Sequence, residues 1–80
     1  MYVYILWSKP LKQFYVGQTK VLEKRLDRHN SGRVSSTKRG MPWQLIHTEK
    51  VKDRSEAMLL ERKIKRRGAG RFLEYIKTKI

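Results

Sequence analysis

Glu61 interrupts an apolar stripe. It stands four residues after Ala57, one after Leu60 and three before Ile64, which on a 3.6-residue helix sets a carboxylate beside the packing face. Such a group is costly to bury unless it is paired or holds a cation. Taken alone, a structural ion pair with an arginine, or a glutamate reaching water from the stripe's edge, is the more ordinary explanation. Tyr4 and Tyr15 sit in short strand-like runs, and as an isolated pair they read first as core aromatics. Arg25 and His29 are one helical turn apart. Arginine offers phosphate a fixed fork of donors and histidine titrates near neutral pH, though a solvated basic face fits equally. Together the five supply what phosphodiester hydrolysis requires. One carboxylate can hold Mg²⁺, which prefers oxygen ligands and keeps several waters, with Mn²⁺ able to substitute. Arginine stabilises the added phosphate charge, and a tyrosine or histidine handles the proton.

The surroundings of these residues are strongly basic. Twenty Lys and Arg against seven Asp and Glu give a net charge of +13, which points to a polyanionic partner. Nucleic acid is favoured over an anionic membrane surface or a merely soluble basic protein. The stretch 31–41, Ser-Gly-Arg-Val-Ser-Ser-Thr-Lys-Arg-Gly-Met, has no acid. It reads as a long loop whose Arg33, Lys38 and Arg39 grip backbone phosphates rather than read bases. Lys24 and Arg28, beside the Arg25–His29 stripe, and Lys65, in the basic run around Glu61, join the expected nucleic-acid contacts. RNA and a protein partner are kept as lesser variants. The chain has no cysteine and two histidines, which excludes cysteine-ligated zinc and leaves too few ligands for an ordinary histidine zinc site. No cofactor beyond the metal is expected. No apolar run approaches the roughly 18 residues of a membrane span. The opening Met1-Tyr2-Val3-Tyr4-Ile5-Leu6-Trp7 lacks a basic n-region and a cleavage site, so a cytoplasmic location without membrane contact is expected.

Eighty residues allow one small domain, 1–80, with a thin core. Residues 2–7 read as a strand buried on both faces. Ser8-Lys9-Pro10-Leu11-Lys12 is a turn, and Phe14-Tyr15-Val16 a second strand stopped by Gly17, pairing as an antiparallel hairpin. Thr19 is placed to cap a helix from about Lys20, with Leu22 and Leu26 on its apolar edge and Asn30-Ser31-Gly32 at its end. Trp43, Leu45 and Ile46 predict a third strand running to about Val51. Asp53-Arg54-Ser55-Glu56 resembles a capping box opening a helix with Ala57, Leu60 and Ile64 on one stripe. Gly68-Ala69-Gly70 breaks it, and a last helix shows Phe72, Leu73, Ile76 and Ile80 as its buried edge. The order ββαβαα predicts a small α/β (α+β) domain, a three-stranded sheet covered by helices.

In this order and spacing the motifs resemble the GIY-YIG nuclease family. Tyr2-Val3-Tyr4 stands where the family has Gly-Ile-Tyr, and Tyr15-Val16-Gly17 where it has Tyr-Ile-Gly. Residues 22–30 look like the helix with the family's catalytic arginine, at Arg25, and His29 matches a position often held by His or Tyr. Residues 56–65 look like the helix with its metal-binding glutamate, at Glu61. The match spans about residues 2–67 and is nearest the small stand-alone members. The resemblance implies a three-stranded antiparallel sheet flanked by helices and hydrolysis of DNA with one divalent metal. It gives Glu61 the Mg²⁺, Arg25 the scissile phosphate, Tyr4 or Tyr15 the attacking water with Tyr4 preferred as base, and His29 an accepting or orienting role. Three positions depart from the pattern. The first glycine is Tyr2, the lysine some members carry after the second motif is Gln18, and no asparagine follows Asn30.

The function expected on this reading is a metal-dependent DNA endonuclease, structure-selective or weakly sequence-specific, in DNA repair or processing. The competing expectation is a catalytically inactive nucleic-acid-binding module on the same frame.

Overall fold

The apolar run at the start of the chain becomes the middle strand of a sheet. In the computed structural model, which describes residues 1–78, β1 (Tyr2–Ser8) pairs antiparallel with β2 (Gln13–Thr19) on one side and β3 (Trp43–Lys50) on the other. The strand order is β2-β1-β3. Three helices flank the sheet, α1 (Leu22–Asn30), α2 (Arg54–Arg67) and α3 (Ala69–Thr78). The ββαβαα α+β arrangement expected from the sequence is the one found.

Both faces of β1 are covered. Val3 and Ile5 enter one cluster with Val16, Ala57, Ile64 and Phe72, built by α2 and α3. Tyr4 and Leu6 enter another with Trp43, flanked by Tyr15, Leu22, Leu26 and Met41. Burial on both faces removes the alternation expected of a half-exposed antiparallel strand. β3, with one exposed face, keeps it. Ile5 pairs with His47 and Leu6 with Leu45, so Ile46 is left over as a bulge.

Several local expectations are corrected. β2 does not stop at Gly17 but runs to Thr19, because β1 supplies partners over that length, Tyr4 opposite Gly17 and Tyr2 opposite Thr19. Thr19 is therefore a strand residue and not a helix cap. Its Oγ1 accepts from the Val21 N–H at 3.2 Å, and α1 begins at Leu22 without a side-chain cap. The capping role of Asp53 holds, its carboxylate accepting from the Glu56 N–H at 3.0 Å. Between α2 and α3 only Gly68 breaks the helix, at φ +94°, a conformation that favours glycine; Ala69 and Gly70 already belong to α3. Phe72 is buried and Leu73 and Ile76 pack beside it, whereas Ile80 lies outside the described residues.

The stretch 31–41 is more ordered than a solvated loop. Thr37 is buried, and residues Lys38–Gly40 form a 3₁₀ turn. The Trp43 indole N–H donates to the Thr37 carbonyl at 2.7 Å. The Asn30 amide brackets the Trp43 backbone, donating to its carbonyl at 3.0 Å and accepting from its N–H. A Cβ on Gly40 would overlap the Trp43 ring. Arg33, Lys38 and Arg39 stand exposed on this folded segment. Among the described residues no helix is long and apolar enough to cross a membrane.

Candidate active site

β2 is an edge strand, and the site is built around it. Alternation turns Tyr15 toward the α1 side and Val16 toward α2 and α3. Gln18, one pleat further, reaches Glu61 on α2. Side chains from both faces of the sheet therefore meet at one edge. A cleft of about 350 Å³ opens there, lined by Tyr4, Tyr15, Gln18, Arg25, Glu61 and Lys65. Gly17 makes room for it. It pairs with Tyr4, and a Cβ on it would come within 2.5 Å of the Tyr4 Oη and 2.7 Å of Cζ. The hydroxyl of a tyrosine rooted in the central strand reaches the cleft because the residue beside it has no side chain.

Three polar groups run in line from the cleft into the protein. The Arg25 Nε–H donates to the Tyr4 hydroxyl at 3.3 Å. Tyr4 Oη lies 3.0 Å from His29 Nε2, and His29 Nδ1 lies 2.8 Å from the Thr37 hydroxyl. His29 is fully buried at 0% exposure. Burial first, then the charges of Arg25 and Arg28, push its pKa below the ordinary 6.5, so the ring is neutral at pH 7 and keeps a lone pair. Burial also raises the pKa of Tyr4 above its usual 10.0, against the opposing hydrogen bond from Arg25. Tyr4 therefore rests as a phenol and not as a phenolate. Tyr15 packs edge-on against the His29 ring, with centroids 4.9 Å apart, and tilts against Tyr4 at 6.3 Å.

Glu61 faces this line from α2. Its Oε2 accepts from the Lys65 ammonium, one helical turn on, at 2.7 Å, and its Oε1 accepts from the Gln18 amide at 3.2 Å. The ion pair that the sequence left open is thus made by a lysine rather than an arginine. The carboxylate side chain remains 20% exposed.

Tyr4, Tyr15, Arg25, Glu61 and Lys65 come together in one cleft, with His29 directly behind Tyr4. Lys24, Arg28 and Arg33 line a separate pocket of about 220 Å³ beside α1, and Lys38 and Arg39 lie on the 3₁₀ turn. A larger cavity of about 620 Å³, between Arg66, Arg67, Arg71 and Glu74, holds none of the five candidate residues. Sequence reasoning missed Thr37, hidden in a polar run without periodicity, and Arg54 and Met58, which also line the cleft. Gln18 registered in the sequence only as a missing lysine, and its contact with Glu61 had no local signal.

The profile of the GIY-YIG catalytic domain matches residues 1–70. The chain belongs to the GIY-YIG family. It is similar to a UPF0213 protein of Syntrophus aciditrophicus (strain SB), 40% identical over 78 residues that cover 95% of this chain and 88% of the relative. A UPF0213 protein of Enterococcus faecalis (strain ATCC 700802 / V583) is 36% identical over 80 residues, 96% of this chain and 90% of the relative. No solved structure matches the chain at a significant level. Membership in the GIY-YIG family carries nuclease activity in general, and with it a nucleic-acid substrate. The two motifs that name the family meet on the β1–β2 ladder at one pair, Tyr4 opposite Gly17.

Proposed function

We propose that this GIY-YIG domain, residues 1–80 acting as one unit in the cytoplasm, is a metal-dependent DNA endonuclease, structure-selective or weakly sequence-specific, serving DNA repair or processing. The observation that carries the reading is the line Arg25–Tyr4–His29 set opposite Glu61 in one cleft.

The residues at Glu61 fit a divalent cation. One oxygen is pinned by Gln18 and the other already accepts a cationic group, the Lys65 ammonium. No group of three or more His, Cys, Asp or Glu that could hold a metal occurs among the described residues. That donor set suits Mg²⁺ or Mn²⁺ held by one carboxylate and completed by water and phosphate oxygens. Bound there, the ion would polarise a phosphoryl oxygen and neutralise developing charge. Lys65, which now occupies Glu61 Oε2, would be free to meet a phosphate if the carboxylate held the ion instead.

The chain's own residues handle the proton. Tyr4 Oη takes a proton from the attacking water while its own proton passes to His29 Nε2, so no free phenolate is needed. Arg25 spends its Nε–H on Tyr4 and keeps the other guanidinium donors for the scissile phosphate. Tyr15 packs against both rings and holds them in place. With a net charge of +13, binding rests on backbone charge and falls steeply with salt.

Two outcomes follow. Supercoiled plasmid and a labelled panel of branched DNAs, incubated at low salt, are expected to be nicked with Mg²⁺ or Mn²⁺ and left intact in EDTA. Binding without cutting under every metal would instead support the inactive binding module, for which the Lys65–Glu61 contact is already a neutralised resting state. Cleavage should also keep working below pH 6.5. His29 must be neutral to accept a proton, and its pKa is lowered from 6.5, so the acid limb of the pH–rate profile lies below that value. The same shift acts on stability: stability is lost as pH falls from about 6.5 toward the folded-state pKa, because the unfolded chain takes up the proton first. An acid limb at or above 6.5 would remove His29 from the relay.

A further inference from the structure

We propose that Thr37 is a positioning residue for catalysis. It fixes His29 in the tautomer protonated on Nδ1 and so presents the Nε2 lone pair to Tyr4. The inference rests on the nuclease reading and extends it to a residue that touches neither substrate nor metal.

The hydrogen bonds at both ring nitrogens of His29 favour one tautomer. Thr37 is 2% exposed and His29 is 0% exposed, so their partners are the protein groups around them. A threonine hydroxyl has one proton to give and lone pairs to accept with. Thr37 Oγ1 lies 3.3 Å from the Val34 carbonyl, which can only accept, so the hydroxyl proton goes there. Toward His29 Nδ1, at 2.8 Å, Oγ1 is then left as acceptor, and Nδ1 carries the hydrogen. At the other end the Arg25 Nε–H can only donate, and it donates to Tyr4 Oη. The phenol's own proton finds its partner in His29 Nε2 at 3.0 Å. Both ends call for Nδ1–H and a free pair on Nε2. The opposite tautomer would take away the Nε2 acceptor of the Tyr4 phenol proton and draw the Thr37 proton away from Val34.

Thr37 is held firmly enough to impose this choice. Its carbonyl accepts from the Trp43 indole at 2.7 Å and from the Gly40 N–H at 3.1 Å. Its own N–H donates to Val34 at 3.1 Å. The segment between α1 and β3 therefore carries an internal task, orienting the histidine that receives the proton, beside whatever phosphates its exposed arginine and lysine side chains meet.

The test uses the full chain labelled with ¹⁵N-histidine, with the His47 signals assigned through His47→Gln. At pH 8, nitrogen chemical shifts and long-range couplings should show His29 protonated on Nδ1 in the parent protein. Thr37→Val should shift His29 toward the Nε2–H form and lower kcat about 10²-fold, the scale of a general-base contribution, with little change in KM for DNA. Thr37→Ser should restore both the tautomer and the rate. A parent protein that cuts DNA with His29 protonated on Nε2 overturns the proposal. So does a folded Thr37→Val protein with unchanged tautomer. If the valine variant fails to fold, the parent tautomer and the serine variant decide. A parent protein with the Nδ1–H tautomer that never cuts DNA sinks the nuclease reading while leaving the placement of the proton standing.

Discussion

Glu61→Gln is expected to fold and bind DNA as the parent protein does, and to cut it about 10³-fold more slowly or not measurably. The substitution keeps the shape of the side chain and an oxygen for the Gln18 amide, which lies 3.2 Å from the carboxylate. It removes the negative charge that a divalent cation needs, and cation stabilisation of phosphoryl charge is worth several kcal/mol of barrier. Stability should change little. The lost ion pair joins a Lys65 side chain 57% exposed to a Glu61 side chain 20% exposed, and pairs of that kind contribute about 0–1 kcal/mol. Plasmid nicking, gel shift in EDTA, Mn²⁺ binding by calorimetry and thermal melting separate these effects. A variant that cuts as fast as the parent would remove Glu61 from the mechanism. One that melts far below the parent would make it a structural residue.

Gly17→Ala is expected to damage activity and stability together. The added Cβ would sit 2.5 Å from Tyr4 Oη, 2.7 Å from its Cζ and 3.1 Å from Tyr15 Cε1. Tyr4 is 1% exposed and bonded to both Arg25 and His29, so any shift away from the new Cβ strains or breaks those bonds. Overpacking of this kind costs about 1–3 kcal/mol, and each kcal/mol lowers the Tm of a domain this size by about 4–8 °C. Moving the hydroxyl by even about 1 Å from its partners should cost about 10²-fold in kcat. Gly70→Ala is the control. There the Cβ meets only Phe14 Cε2, at an ordinary 3.5 Å, inside α3, where alanine is the better helix former. A Gly17→Ala protein with parental Tm and kcat would show that the close approach of Gly17 to Tyr4 is not what shapes the cleft.

The fold was largely legible because its cues are local. The unbroken apolar run of β1, Asp53 ahead of α2 and the stripe of Ala57 and Ile64 each state an element within a few residues, and each appears as read. The misreadings were local as well, and tertiary pairing explains them. Gly17 looked like a stop until β1 gave it a partner in Tyr4. Thr19 looked like a cap until the strand reached it. The run 31–41 looked like a plain long loop because burial of one threonine beside one tryptophan leaves no periodic trace.

By itself the sequence determined the chemistry on offer: one carboxylate in an apolar stripe, two strand tyrosines, an Arg–His pair one turn apart and a large positive charge, in the order of a known nuclease motif. Which of these act on one another was decided only by the tertiary structure. The pairing of β1 with β2 sets Tyr4 against a residue without a side chain. Helices on opposite faces bring Arg25 and Glu61 to the same sheet edge, and the segment after α1 delivers Thr37 to the far nitrogen of His29. These contacts join residues up to 43 positions apart, as Gln18 and Glu61 are. Hydrogen bonds at such separations depend on distance and angle in the folded chain, which no local pattern of residue types encodes.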